Sequence, residues 1–278
     1  MTQTLFENST ICFIGAGAMG TAMIGGLLAK GLIPSERIIA ADPHKEKGEQ
    51  LARDYQIRFT TDNLEAARNA DVLILAVKPQ IMSKVLSQLR GRIDGVELIL
   101  SIVASVSMKT IVTQVLNSRV VRSMPNTPAQ IGEGMTVWCS TNEVEDKQLQ
   151  QAALLLGALG EQLRVEDERL LDMATALSGS GPAYVFLFME AMIDAGVRMG
   201  FTHRDATKLV MQTVKGSADY ILQSGQHPSI LRNQVTSPGG TTAAALYQLE
   251  RMQFRTAVAE GIWAAYQRAM ELGNKDDK

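Results

Sequence analysis

A short apolar run that ends in three spaced glycines constrains this chain more than any other feature. Residues 11–14 are apolar, Gly15, Gly17 and Gly20 follow with the spacing Gly-x-Gly-x-x-Gly, and a helical pattern covers residues 21–30. Gly15 permits a tight turn, Gly17 leaves room for phosphates to approach the backbone, and Gly20 lets the helix pack against the strand. Free N–H groups and the positive end of the helix dipole then face an anion. The pattern predicts a strand–turn–helix unit that binds a dinucleotide pyrophosphate.

A glycine-rich turn without a ligand has the same motif, so the surrounding sequence decides between the two interpretations. A second strand is predicted at 37–41, and it ends at Asp42, about 22 residues after Gly20. An acidic side chain at that place bonds the ribose hydroxyls of a dinucleotide. We therefore predict a bound nicotinamide or flavin dinucleotide. The predicted contacts of this motif are Gly15, Gly17, Ala18, Met19, Gly20 and Asp42.

Short apolar runs alternate with helical patterns as far as residue 164. Further strands are predicted at 57–59, 72–77, 98–103, 120–124 and 136–139, and helices at 45–55, 63–69, 81–89, 107–116 and 147–159. Runs such as 72–77 are continuously apolar rather than alternating, which is typical of parallel strands buried on both faces. Strands that alternate with helices in this way predict an α/β fold, a Rossmann-type doubly wound parallel sheet over residues 1–164.

Strand candidates disappear after residue 164. Helices are predicted at 168–176, 183–199, 204–223 and 241–271, so residues 165–278 are expected to form an all-helical domain. Residues 183–189 are apolar on nearly every helical face, and a helix of that kind has to be buried all round. Association with a second copy through this domain is the simplest solution, and burial between the two domains of one chain is the alternative. The sequence predicts a homo-oligomer.

Composition excludes several classes of partner. The chain has 278 residues, 27 Lys and Arg against 29 Asp and Glu, and no long basic run, so neither nucleic acid nor an anionic membrane surface is expected. The sequence has no apolar stretch of about 18 uninterrupted residues, so no membrane span is predicted. Cys12 and Cys139 lie in strand-like runs, where they are expected as core thiols of a reducing compartment, the cytoplasm. No spacing of histidines and cysteines predicts a metal site.

Two polar segments follow predicted strands, at the sheet edge where ligands bind doubly wound sheets. Ala76, Val77 and Lys78 close the fourth strand, and Pro79 is expected to hold Lys78 extended. Asn126 follows the sixth strand within Met-Pro-Asn-Thr-Pro. Each segment suits a contact to a cofactor or substrate. The alternatives are a solvated lysine at a sheet edge and a stiff connector, and position alone leaves both interpretations open.

A third polar segment precedes the last long helical pattern. Ser237 and Pro238 are followed by Gly239, Gly240, Thr241 and Thr242. Glycines and hydroxyl side chains at a helix start form a nest of N–H donors that suits a carboxylate or phosphate. The alternative is an ordinary helix N-cap.

Taken together, these segments resemble the delta-1-pyrroline-5-carboxylate reductase family from about residue 9 to about residue 272. The matching motifs are Gly-Ala-Gly-Ala-Met-Gly at 15–20, Ala-Val-Lys-Pro at 76–79, Met-Pro-Asn-Thr-Pro-Ala at 124–129, Ser-Gly-Ser-Gly-Pro-Ala-Tyr at 178–184 and Ser-Pro-Gly-Gly-Thr-Thr at 237–242. The resemblance implies a Rossmann domain, and a helical domain that interlocks with its twin in a dimer, with larger rings in some members. It also implies that NAD(P)H reduces the imine of 1-pyrroline-5-carboxylate to L-proline.

The resemblance further implies that the substrate carboxylate lies in the loop at 237–242, contributed across the dimer. Thr242 and Lys78 are then the candidates for a proton source near the imine nitrogen. Asp42 stands where many relatives carry small or basic residues, and an aspartate there favours NADH. NADPH is the family's usual cofactor, however, and Lys45 and Lys47 lie near Asp42 in the sequence. Residues 250–254 lack the glycine that relatives often carry at a helix break, so the last helix is either broken tightly or continuous.

Two other functions fit parts of the sequence. A dehydrogenase of the 3-hydroxyacid type shares this domain plan but would need a lysine on the helix at 183–199, which has none. A redox sensor would bind the nucleotide without turnover, and the loop at 237–242 favours a catalytic site over such a sensor.

Overall fold

The computed structural model of the chain describes residues 5–6 and 9–276. It divides into two compact units. The first unit consists of the residues up to Ser180 and those from Ala265 onward. The second unit is Gly181–Ala264. The last strand ends at Arg164, where the sequence predicts the change to helices. As a domain boundary, residue 164 stays a prediction, because the compact units divide the chain further on.

In the described residues of the first unit, eight strands form one sheet in the order β3-β2-β1-β4-β5-β6-β7-β8. The strands are β1 Ile11–Ile14, β2 Ile38–Ala41, β3 Arg58–Thr60, β4 Val72–Leu75, β5 Leu98–Ser101, β6 Val120–Met124, β7 Gly134–Ser140 and β8 Gly160–Arg164. Neighbours from β3 to β6 pair in parallel, and the β7–β8 pair is also parallel. The predicted doubly wound sheet is confirmed.

The helices of this unit cover both faces of the sheet. They are α1 Ala18–Ala29, α2 Lys45–Tyr55, α3 Asn63–Arg68, α4 Pro79–Leu89, α5 Met108–Val115, α6 Asp146–Gly157 and α7 Arg169–Ala174. Alternate strand residues point to opposite faces, so Phe13 of β1 packs in one core and Cys12 in the other. Every residue of β1, β2, β4 and β5 is buried, which explains their continuous apolar runs.

Two features of the sheet differ from the prediction. Strand β7 runs antiparallel to β6, and β8 was not predicted at all. Strand β8 is a sheet edge with the sequence Gly-Glu-Gln-Leu-Arg, and Glu161, Leu163 and Arg164 are exposed. A strand without a buried apolar run gives no periodic signal, which is why the sequence did not show it.

Both cysteines are free and buried, as predicted for core thiols. Burial raises the pKa of the Cys12 thiol to about 12. Burial, together with the charge of Glu168, also raises the pKa of Cys139 to about 12. Thiols with such high pKa values stay protonated at neutral pH, as is typical of buried structural cysteines.

The second unit is helical. It contains α8 Gly181–Arg198, α9 His203–Ser224, α10 Pro228–Gln234, α11 Thr241–Arg251 and the start of α12 Phe254–Asp276. The predicted helix at 241–271 is broken at Met252 and Gln253, and Gln253 has a left-handed φ of 58°. The short helix α10 was not predicted.

Helix α8 carries a broad apolar surface. Val185, Phe186, Leu187 and Phe188 are between 42% and 67% exposed in the single chain. The helical stretch Arg169–Arg198 is the one stretch in the described residues that is long and apolar enough to cross a membrane. A core helix of a globular protein passes the same test, so this finding gives weak support for a span. The absence of a membrane partner stays a prediction.

Candidate active site

The structure gives a different reason for a glycine at each of the three positions of the first turn. Gly15 has φ 102°, and a Cβ there would lie 2.6 Å from the carbonyl oxygen of Ala76. A Cβ on Gly20 would lie 2.5 Å from the carbonyl oxygen of Gly15. A Cβ on Gly17 would meet nothing within 4 Å. The fold therefore requires Gly15 and Gly20, whereas Gly17 keeps a space open that the protein itself does not fill.

That open space lies at the start of α1. Gly17 is the N-cap residue, and in the described chain neither a side-chain cap nor an acidic residue occupies the first turn of α1. The N–H groups of a first helical turn have no acceptor within the helix, and the helix dipole makes this end positive. The turn, with Ala18 and Met19 as the first helical residues, therefore fits a pyrophosphate by both shape and charge.

Asp42 holds this turn in place. Its side chain is 12% exposed. One oxygen accepts a hydrogen bond from the Ala16 N–H at 2.9 Å, and the other lies 2.9 Å from both the backbone N and Nδ1 of His44. Burial by itself raises the pKa of Asp42, but the bonds from His44 and Ala16 outweigh it, so the pKa lies below its ordinary value. Asp42 is thus ionised at neutral pH.

These contacts add a role that sequence reasoning missed. The predicted ribose contact of Asp42 stays a prediction, but its carboxylate already connects the end of β2 to the glycine turn through Ala16. No role is predicted from the sequence for His44, which binds the same carboxylate. The signal available in the sequence was its position two residues after an acidic strand end, where an imidazole can reach the carboxylate.

The end of β4 lies beside the turn. The Ala76 N–H donates to the carbonyl of Ile14 at 2.8 Å, which continues the β1–β4 ladder. Lys78 has ψ 144° before Pro79, so it is extended as predicted. Its side chain is exposed at the N-cap of α4. Ala76, Val77 and Lys78 are thus at the same sheet edge as the glycine turn, and their contacts to a cofactor stay predictions.

Asn126 is fixed at both ends of its amide. Its Nδ2 donates to the carbonyl of Ser178 at 3.1 Å, and its Oδ1 accepts from the Met135 N–H at 2.9 Å. The loop after β6 is therefore held by a side chain as well as by its prolines. Both polar atoms of the Asn126 amide thus have protein partners. The predicted contact of Asn126 with a cofactor stays a prediction.

The loop at 237–242 belongs to the second unit. Gly239 has φ 70°, and the Gly240 N–H donates to the carbonyl of Ser237 at 3.1 Å, which closes a tight turn. Gly240 is the N-cap of α11 without a side-chain cap, and Thr241 and Thr242 are its first helical residues. Ser237, Gly239 and Thr241 are exposed. This arrangement leaves N–H groups and hydroxyls at an uncapped helix start, which suits an anion, and the predicted binding of a carboxylate here stays a prediction.

An ion cluster in the first unit was not predicted from the sequence. Arg122 of β6 is 5% exposed, and it binds Glu168 at 2.8 Å and Asp172 at 3.1 Å. The same Glu168 oxygen accepts from the Met108 N–H at 2.8 Å. The signal in the sequence was an arginine inside a predicted buried strand, because a buried charge needs a partner.

Comparisons with known proteins agree with this arrangement. The family model described as pyrroline-5-carboxylate reductase dimerisation matches residues 168–272, and the one described as NADP oxidoreductase, coenzyme F420-dependent, matches residues 10–105. A pyrroline-5-carboxylate reductase of Synechocystis sp. is 43% identical, over 94% of this chain and 97% of the relative.

Two solved structures are similar along nearly the whole chain. The pyrroline-5-carboxylate reductase of Coxiella burnetii has a TM-score of 0.88 and 36% sequence identity. The match covers 95% of this chain and 98% of the Coxiella burnetii chain. The pyrroline carboxylate reductase of Plasmodium falciparum with NADP bound has a TM-score of 0.87 and 33% identity, covering 96% and 99%.

The sheet, the glycine turn and these matches define a dinucleotide-dependent oxidoreductase. The chain belongs to the pyrroline-5-carboxylate reductase family. The resemblance seen in the five sequence motifs is confirmed.

Proposed function

We propose that this chain reduces 1-pyrroline-5-carboxylate to L-proline with a reduced nicotinamide dinucleotide. The observation that carries the proposal is the match to a relative of that name over 94% of the chain. The two matching family models cover the glycine turn and the loop at 237–242. The open space at Gly17 supports the nucleotide, because no protein atom fills it.

Two anion-binding sites of the chain would hold the two reactants. The turn at 15–20 would hold the cofactor pyrophosphate, and the loop at 237–242 would hold the substrate carboxylate through its N–H groups and hydroxyls. When bound, the reduced nicotinamide would supply the hydride to the imine carbon, and the imine nitrogen would take a proton. We assign Thr242 and Lys78 as the candidates that donate a hydrogen bond or proton to that nitrogen.

We propose NADPH as the cofactor, with NADH as a second donor. Asp42 would repel a 2′-phosphate, but its oxygens are already bonded to Ala16 and His44, and Lys45 and Lys47 lie on the helix that follows. The Plasmodium falciparum relative carries NADP in its structure. The proposed compartment is the cytoplasm, which the two free, buried thiols suit.

The direct test follows the absorbance of NADPH and NADH in parallel with purified protein and DL-pyrroline-5-carboxylate. We expect oxidation of NADPH with L-proline formed in equal amount, and the ratio of kcat/KM for the two cofactors measures the effect of Asp42. Binding of NADPH without any oxidation would contradict the reductase and favour a redox sensor. Turnover of a 3-hydroxyacid instead would favour the dehydrogenase alternative.

The same assay tests the two candidate proton donors. A proton donor contributes roughly 10²- to 10⁴-fold to a rate, so loss of one of them in Thr242→Val or Lys78→Met should lower kcat by that order. Lys84→Met is the matched control, because Lys84 is exposed on the same helix α4. Turnover close to wild type in both Thr242→Val and Lys78→Met would show that this assignment is wrong.

We further propose that the chain forms a homodimer through its helical unit, with larger assemblies built from that dimer. The matching family model is described as a dimerisation domain, and the exposed apolar surface of α8 needs a cover. Leu187 is 67% exposed on this surface, and Ile131 of the first unit is 79% exposed. We expect Leu187→Glu to yield monomers in sedimentation velocity, whereas Ile131→Glu keeps the wild-type mass. Monomeric wild-type protein at micromolar concentration would contradict the proposal.

A further inference from the structure

We propose that Asn126 is a positioning residue that ties the loop after β6 to residues 175–180, the last segment of the first unit. This inference rests on the proposed reductase function. Its basis is the hydrogen bond from Asn126 Nδ2 to the Ser178 carbonyl, which joins two residues 52 positions apart in the chain. The bond is part of the first unit alone.

The bond lies at the edge of the sheet that carries the cofactor turn. Strands β1, β4, β5 and β6 are parallel neighbours, and Ile14, Leu75 and Ser101 are in register across three of them. Asn126 follows the carboxyl end of β6, as the glycine turn follows that of β1. The Ser178 carbonyl is therefore held at the edge where ligands of such sheets bind.

The held segment has an irregular backbone. Residues Thr175–Gly179 form a π-helical turn, which the Ser180 N–H closes by donating to the Thr175 carbonyl at 2.8 Å. Turns of this kind are rare and occur often at functional sites. A Cβ on Gly179 would lie 2.8 Å from Cε of Met124, the last residue of β6. Packing and hydrogen bonding thus both fasten this turn to the end of β6.

The position of this segment matters for the reaction because it lies, within the first unit, at the same sheet edge as the proposed cofactor turn. Freedom at residues 175–180 would loosen this edge around the hydride donor. A misplacement of about 1 Å costs roughly a hundredfold in rate without weakening cofactor binding.

The test uses Asn126→Asp in the full-length protein. Aspartate keeps an oxygen acceptor for the Met135 N–H but places a second oxygen against the Ser178 carbonyl, so it removes only the bond in question. Asn126→Ala removes both bonds and takes its place should Asn126→Asp not fold. Gln130→Ala, at an exposed position of the same loop, is the matched control.

Three readouts separate the outcomes. We expect hydrogen exchange in a peptide spanning 175–182 to accelerate about tenfold, kcat to fall roughly ten- to a hundredfold, and the Kd for NADPH to stay within about twofold of wild type. Unchanged exchange and kcat would overturn the proposal. A rise in the Kd for NADPH with unchanged exchange would also overturn it and make Asn126 a direct cofactor contact. Exchange is measured without turnover, so an inactive wild type would refute only the proposed function.

Discussion

The Gly17→Ala variant is expected to lose about two orders of magnitude in affinity for NADPH, roughly 2.7 kcal/mol, while the cofactor-free protein keeps its stability. Gly17 has φ −71° and ψ −177°, which any residue adopts. An added methyl group would meet no protein atom within 4 Å, so the fold tolerates it. The same methyl group would occupy the space where the pyrophosphate approaches the backbone. Fluorescence titration with NADPH and thermal unfolding without cofactor measure the two effects separately.

Gly20→Ala is the matched control for this prediction. Its Cβ would lie 2.5 Å from the carbonyl oxygen of Gly15, so the helix and the turn would have to move apart. We expect this variant to lower the melting temperature even without cofactor, which Gly17→Ala does not. Unchanged NADPH affinity in a folded Gly17→Ala protein would refute the placement of the pyrophosphate at this turn.

The parts of the fold that could be predicted are those with a strong local signal. Strands β1, β4 and β5 are continuous apolar runs because both of their faces are buried. The missed strand β8 has neither property, since its residues are mostly polar and lie at a sheet edge. The antiparallel direction of β7 depends on pairing with β6, which no local pattern encodes.

The candidate site likewise has parts that could be predicted from local sequence and parts that could not. The glycine turn is local, so its spacing alone predicted a turn whose three glycines have separate reasons in the structure. The bonds of Asp42 to Ala16 and of Asn126 to Ser178 join residues 26 and 52 positions apart. Such bonds depend on how distant segments pack, and the sequence shows only that polar groups end those strands. The family resemblance supplied the roles of residues 237–242, which position alone left open.

The Arg122→Met variant is expected to lose about 3–5 kcal/mol of unfolding free energy, the usual cost of removing one partner from a buried ion cluster. Arg122 is 5% exposed, and its guanidinium binds Glu168 and Asp172, whose side chains are 26% and 24% exposed. Without the arginine, two partly buried carboxylates would lose the cation that both of them bind. Urea unfolding of the cofactor-free protein measures the loss.

Two controls show whether this loss comes from unpaired charge. Arg169→Met removes an ion pair with Asp167 in which the arginine side chain is 85% exposed, and such solvent-screened pairs contribute little to stability. Combining Arg122→Met with Glu168→Gln and Asp172→Asn should recover much of the stability, because no unpaired charge is then left behind. If the triple variant is no more stable than Arg122→Met alone, the loss comes from packing of the arginine stem rather than from charge. If Arg122→Met costs less than about 1 kcal/mol, water already solvates the two carboxylates and the cluster does not hold α7 to β6.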